Sequence, residues 1–215
     1  SLEHAMKINH FLGHSQEESH FFMLMVQRDR SGSIDLQQYY QEQLNSILKD
    51  RQEIKKRLKD TNTISVEDAS IYYSHWYYSA IHVLTSIPVY QDKKRVAERL
   101  GLELELVSEV LEFLIQLGLV ELKHGKYINT GKRLHLPKNS PLISKHHTNW
   151  RVEAIKSLEQ KEKLNLHYSL VLSISEKDAQ RLRDLLLEMI DQSEKIFIPS
   201  PEEEMYVLNL DWFLA

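Results

Sequence analysis

The sequence predicts a mostly helical chain with a small β component, of the α+β class. Two observations carry this. Apolar residues recur at spacings of three and four through most of the chain, as one-sided helices require. Strict alternation of apolar and polar residues is confined to short stretches near the middle and the C-terminal end.

The elements follow in order. Ser1–Leu12 places Leu2, Met6, Ile8 and Leu12 at near-helical spacing, with Gly13 as its C-cap. It begins in mid-pattern, and we expect it to be the tail of a larger N-terminal element. Ser15-Gln16-Glu17-Glu18 is a capping box that opens a helix to about Arg30, with Phe21, Phe22, Met25 and Val26 on its apolar face. Arg30–Ser33 is a turn. A long helix from Asp35 to Lys59 carries Leu36, Tyr39, Tyr40, Leu44, Ile47, Leu48, Ile54 and Leu58. Its second half, Lys49–Lys59, is charged nearly all round and should be solvated. Thr61–Thr63 breaks the pattern. One helix is then expected from Ser65 to Ser86, holding the aromatic run Tyr72–Tyr78 (YYSHWYY), with Pro88 ending it.

Asp92–Leu100 is a short helix closed by Gly101, and Glu103–Leu117 a longer one closed by Gly118. Leu119–Lys123 and Lys126–Asn129 read as a hairpin around His124-Gly125. Val96, Ala97 and Leu100 bury one face of the short helix. Val107, Val110, Leu111, Leu114 and Leu117 bury the longer helix against it. Short helix, tight turn, second helix and two-stranded wing are the layout of a winged helix-turn-helix. Pro137–Pro141 is a linker and Ser144–Lys163 a helix. Leu166–Ser173 alternates as a strand. Ser175–Ser193 is a capped helix containing Ala179, Leu182, Leu185, Leu186 and Met189. Met205–Trp212 is a second alternating strand. This β-α-β end has no room for a full sheet, so it is expected to borrow strands or to pair across a dimer. The chain thus divides into a helical region (1–60), a winged helix-turn-helix module (61–137), and a linker helix with a β-α-β regulatory or dimerisation unit (138–215).

Composition sets limits on function. The chain has 215 residues, 42% hydrophobic and 27% charged, and a net charge of −4. The absence of cysteine excludes disulfides, iron–sulfur clusters and cysteine-ligated zinc. The six glycines are too scattered for a dinucleotide or phosphate-binding loop. No apolar run of membrane-spanning length exists, and Ser1–Gly13 has no signal-peptide pattern, so a cytoplasmic location is expected. No catalytic motif, cofactor motif or metal-ligand set stands out, and no enzyme is expected. His10, His14 and His20 with Glu17 and Glu18 do not make a metal cluster, because Gly13 interrupts the helix between the first two histidines.

The net charge is an average over unlike parts. The second helix of the winged module carries Glu103, Glu105, Glu109 and Glu112 and no Lys or Arg, so phosphates would be repelled there. The candidate DNA contacts lie beside it: Lys93 and Lys94 on the first helix, and Lys123, Lys126, Lys132 and Arg133 on or after the wing, followed by Lys138. The bland reading of these residues is solvated charge on a scaffold. Tyr72, His75, Trp76, Tyr78 and His82 are the candidates for a small-effector pocket. On one continuous helix His75, Tyr78 and His82 would share a face. The bland reading is a helix packed on both sides. His146-His147 with Trp150 and Arg151 reads as a polar helix start, or as an interdomain or phosphate contact.

Ser1–Ser33, Val96–Glu121 (VAERLGLELELVSEVLEFLIQLGLVE) and Leu170–Leu186 (LVLSISEKDAQRLRDLL) carry a resemblance. In these stretches and in the order of its pieces, the chain resembles a bacterial family of transcriptional regulators. Its members have a phage-repressor-like helix-turn-helix followed by a C-terminal region of unknown function. The resemblance implies that Ser1–Leu12 is the last helix of that reader, whose base-reading helix lies upstream. On this view the chain is the regulatory part of a regulator that dimerises on DNA, because two half-site readers give both affinity and specificity. The β-α-β end and the Asp35–Lys59 helix are the candidate dimer contacts; no cofactor is expected and a small effector is possible. The alternative is a protein-interaction or ligand-sensing module whose winged helix is only a packing scaffold.

Overall fold

The structure is a computed structural model. It describes every residue except 61–63, 133, 135–139 and 161, and for residues 49–60 it describes the backbone alone. Arg133, Lys138, the break at Thr61–Thr63 and most of the expected linker therefore lie outside the described residues, as do the side chains of Lys49–Lys59. Among the described residues the chain is mostly helical, with one two-stranded antiparallel sheet. It divides into two compact units, Ser1–His146 and His147–Ala215.

The first unit opens with α1 (Leu2–Leu12), α2 (Gln16–Arg30) and α3 (Ile34–Asp60). Gly13 ends α1 in the left-handed region (φ 57°, ψ 48°), where a residue without Cβ is unstrained. Ser15 and Glu18 form the reciprocal capping box: the Glu18 N–H donates to Ser15 Oγ at 3.2 Å, and the Ser15 N–H to Glu18 Oε2 at 3.1 Å. The three helices pack in sequence. Leu24 and Leu44 are buried between α2 and α3, and Arg28 Nη1 donates to Gln41 Oε1 at 2.9 Å.

The expected single helix over 65–86 is two helices, α4 (Val66–Tyr72) and α5 (Trp76–Leu84). The cause lies in Ser74 and His75. Ser74 Oγ donates back to the Ile71 carbonyl at 2.7 Å, a local bond that competes with helix continuation. His75 is extended (φ −138°, ψ 153°) and starts α5. The helical face proposed for His75, Tyr78 and His82 therefore does not exist, because His75 stands outside the helix that carries the other two.

A 3₁₀ turn at Pro88–Tyr90 leads to α6 (Lys93–Leu100), whose N-cap Asp92 accepts from the backbone N–H groups of Lys94 and Arg95. Gly101 (φ 63°) turns the chain into α7 (Leu104–Gln116). Then β1 (Val120–Lys123) pairs antiparallel with β2 (Lys126–Asn129), with Lys123 opposite Lys126. His124 (φ 50°) and Gly125 (φ 76°) are both left-handed, as a type I′ turn demands. The outer edge of β2 is also satisfied: Tyr127 N–H donates to the Gln91 carbonyl at 3.0 Å and Asn129 N–H to that of Thr85 at 3.2 Å. The core lies among these pieces. Ile81, Leu84, Val96, Val107, Val110, Leu111, Leu114, Leu119 and Val120 are all buried. Tyr78 of α5 meets Phe113 of α7 edge-on at 5.4 Å.

α8 (Ile143–Ser157) is shorter than the helix expected to reach Lys163. In the second unit α9 (Glu176–Phe197) is capped by Ser175, which accepts from the Asp178 N–H at 3.2 Å. Residues 166–173 and 205–212, expected as the two strands of a β-α-β unit, carry no strand pairing in this structure, and only the helix between them is formed. An alternating segment becomes a strand only when another strand satisfies its backbone. The later segment is tethered within the unit. Asn209 Nδ2 donates to the Trp150 carbonyl at 3.2 Å, and the Arg151 guanidinium pairs with Asp211 through Nε at 2.9 Å and through Nη2.

Candidate functional site

The basic residues singled out in the sequence have different fates. Lys123, Lys126 and Lys132 are exposed on and beside the hairpin, Lys123 with Glu121 as ion-pair partner at 2.5 Å. Lys94 is exposed and its Nζ stands 5.6 Å from the centre of the Phe11 ring, a cation–π distance. Lys93 is different. Its side chain is only 17% exposed, and its Nζ donates to the Gly13 carbonyl at 3.2 Å, to Ser108 Oγ at 3.1 Å and to Glu18 Oε2 at 3.4 Å. An ammonium with three oxygen partners is turned away from any phosphate outside.

Those contacts belong to a docking point that sequence reasoning missed. Ser108 Oγ donates to the Gly13 carbonyl at 2.5 Å, with the Leu104 carbonyl at 3.0 Å as its other acceptor. Gly13 lies against Leu104 so closely that a Cβ there would stand 2.3 Å from Leu104 Cγ. The turn between α1 and α2 is thus seated on the leading turns of α7. Glu105, next on the same helix, lines a cavity of about 250 Å³ with Asn9, His10, His14 and Gln16. Asn9 is buried and its Oδ1 meets His14 Nδ1 at 2.6 Å. The glycine cap and the capping box were legible one by one. Their partners stand some 75 to 95 residues away, and no local signal links them.

Replacing Lys93 by Met keeps the buried stem and removes the donor from Gly13 and the cation from Glu18. We expect the first unit to lose about 2 kcal/mol. Hydrogen exchange at residues 9–18 checks this, because those amides should exchange faster while those of α9 do not.

A family model described as "Domain of unknown function (DUF4423)" matches residues 50–214, more than half of the chain. The chain belongs to the DUF4423 family. No curated protein and no solved structure matches it. The DUF4423 match takes in α6, α7, the hairpin and the second unit, and leaves α1 and α2 outside. The docking point therefore joins a segment outside the DUF4423 match to helices within it.

In the aromatic group of this DUF4423 chain Tyr72, Tyr73 and His82 are buried, Trp76, Tyr77 and Tyr78 half-buried and His75 exposed. Tyr72 and His82 are both buried, their Oη and Nδ1 are 3.0 Å apart, and the rings meet edge-on. Burial pushes the Tyr72 hydroxyl above its ordinary value, with Tyr73 adding to the effect. Burial also pushes the His82 imidazole down to about 4, against a smaller opposing effect of the Leu119 backbone. A Tyr72 hydroxyl that donates to Nδ1 leaves the ring proton on Nε2, which makes no hydrogen bond of good geometry. His75 stacks on Tyr77 at 5.0 Å, and Tyr78 packs on Phe113. Trp76 is half-buried at the start of α5, where its ring meets Tyr77 edge-on. Of the five pocket candidates, Tyr72 and His82 come together. His75 stands at the other end of α5.

Among the described residues no group of three or more His, Asp or Glu side chains is placed to hold a metal ion. No helix there is long and apolar enough to cross a membrane.

Proposed function

We propose that this chain is the regulatory and oligomerising region of a cytoplasmic bacterial transcriptional regulator, acting as a homodimer. On this reading α6, α7 and the hairpin form a winged helix-turn-helix. Its second helix does not read bases, and the wing contacts the phosphate backbone. The observation that carries the reading is the contrast between two surfaces of one module. The leading turns of α7 are acidic at Glu103, Glu105 and Glu109 and hold the α1–α2 turn, whereas the hairpin presents Lys123, Lys126 and Lys132 to solvent. Phosphate contacts fix a protein on a duplex without specifying sequence, and an exposed basic ribbon suits that role.

The test is a triple substitution, Lys123→Glu, Lys126→Glu and Lys132→Glu. Binding to a random-sequence duplex should weaken about equally for all sequences, and the salt slope should fall by about three contacts. Unchanged affinity and slope would remove the wing from the DNA contact.

A second reading is supported by the docking of the α1–α2 turn on α7: an interaction module whose winged helix serves only to pack other helices. It predicts no duplex binding, with or without the substitutions.

A further inference from the structure

The second unit exposes more apolar surface than a lone copy in water is expected to keep. Between Leu166 and Ile174, Leu166, Tyr168, Leu170 and Leu172 alternate along one face, 88%, 79%, 61% and 38% exposed. Val171 on the other face is 97% exposed. The segment belongs to no helix or strand, and among the described residues its backbone makes no hydrogen bonds. The second segment has the same form. Asn209 and Asp211 are anchored to Trp150 and Arg151, and the opposite parity, Tyr206, Leu208, Leu210 and Trp212, stands exposed. On α9, Leu182, Leu185 and Met189 are uncovered too.

We infer that residues 166–173 pair with the same residues of a second copy of this chain, antiparallel about a two-fold axis. The two β-α-β units then share one sheet. Three observations favour a second copy as the occupant. Both segments keep the two-residue period of a half-buried strand, so the surface is built for a ladder and not for a helix or a lipid. From Leu164 to Ser175 there is no Asp, Glu, Lys, Arg or Pro, whereas a sheet edge left facing water carries such residues against unwanted pairing. The backbone donors and acceptors of the segment are unbonded among the described residues, and antiparallel pairing about a two-fold axis satisfies them on both copies alike. The helices of the two copies then cover the apolar face of the shared sheet. This rests on the dimer named above and not on DNA contact.

Val171→Pro tests it. In a lone copy the position is solvent-exposed and its N–H unbonded, so proline there removes no hydrogen bond. In the shared sheet it removes a ladder donor. The full chain at about 50 µM should sediment as a dimer, Val171→Pro as a monomer, and the control Leu214→Ser as a dimer. In the parent chain the amides of residues 166–173 should exchange at least about tenfold more slowly at 50 µM than at 0.1 µM. A monomeric parent chain overturns both this contact and the dimer on which it rests. A dimer indifferent to Val171→Pro, with freely exchanging amides at 166–173, overturns the contact alone.

Discussion

Replacing Gly13 by Ala should loosen the first unit by about 3 kcal/mol, from left-handed strain and overpacking combined. The backbone there has φ 57°, which a residue with a Cβ adopts at a cost, and the new Cβ would fall 2.3 Å from Leu104 Cγ. Leu104 is the first residue of α7, and its Cβ, at the root of the side chain, would itself lie 2.8 Å from the added atom, so a change of rotamer alone does not relieve the clash. The Gly13 carbonyl would be displaced from Lys93 Nζ and Ser108 Oγ together. The readout is hydrogen exchange, because two units make a single unfolding free energy ill defined. Amides of α1 and of the first turns of α7 should exchange about a hundredfold faster, with α9 unchanged. Unaltered protection in α7 would mean that the α1–α2 turn is not seated there.

Acid should destabilise the same unit through His82. Its imidazole titrates near 4 when folded, against 6.5 as a free group. Between these values the unfolded chain binds the proton and the folded chain does not. The stabilisation is therefore complete above pH 6.5 and is lost as the pH falls toward 4. The loss amounts to about 3 kcal/mol at the low end. His82→Gln keeps a polar partner for Tyr72 but cannot titrate, so its stability should fall less over this range. Urea unfolding followed through the first unit at pH 7, 5.5 and 4.5 checks this. Parallel pH profiles for the two proteins would contradict it.

The fold was legible where local chemistry decides it. Gly13, Gly101 and Gly118 mark helix ends, and each has the positive φ that its place requires. The Ser15–Glu18 box, the Asp92 cap and the His124-Gly125 turn were readable from a few residues each. The split at Ser74-His75 was not. An aromatic run has a helical period whether or not the backbone continues, and one serine hydroxyl bonding backward decided the matter. The segments 166–173 and 205–212, expected as strands, have no strand pairing among the described residues, and an alternating pattern alone does not provide the partner a strand needs. The candidate site was legible only in part. The acidic character of α7 and the basic character of the hairpin were visible in composition. That Lys93 turns inward was not, since Gly13, Glu18 and Ser108 meet it only after folding.

We propose that the leading turns of α7 hold an intrachain partner while the hairpin carries the phosphate contact. Hydrogen exchange of the full chain, with and without a random-sequence duplex of about 30 base pairs at low salt, tests it most directly. Exchange should slow across residues 120–132 and stay unchanged across Leu104–Gln116. Slower exchange along α7 with an unchanged hairpin, or no change at either place, would contradict it.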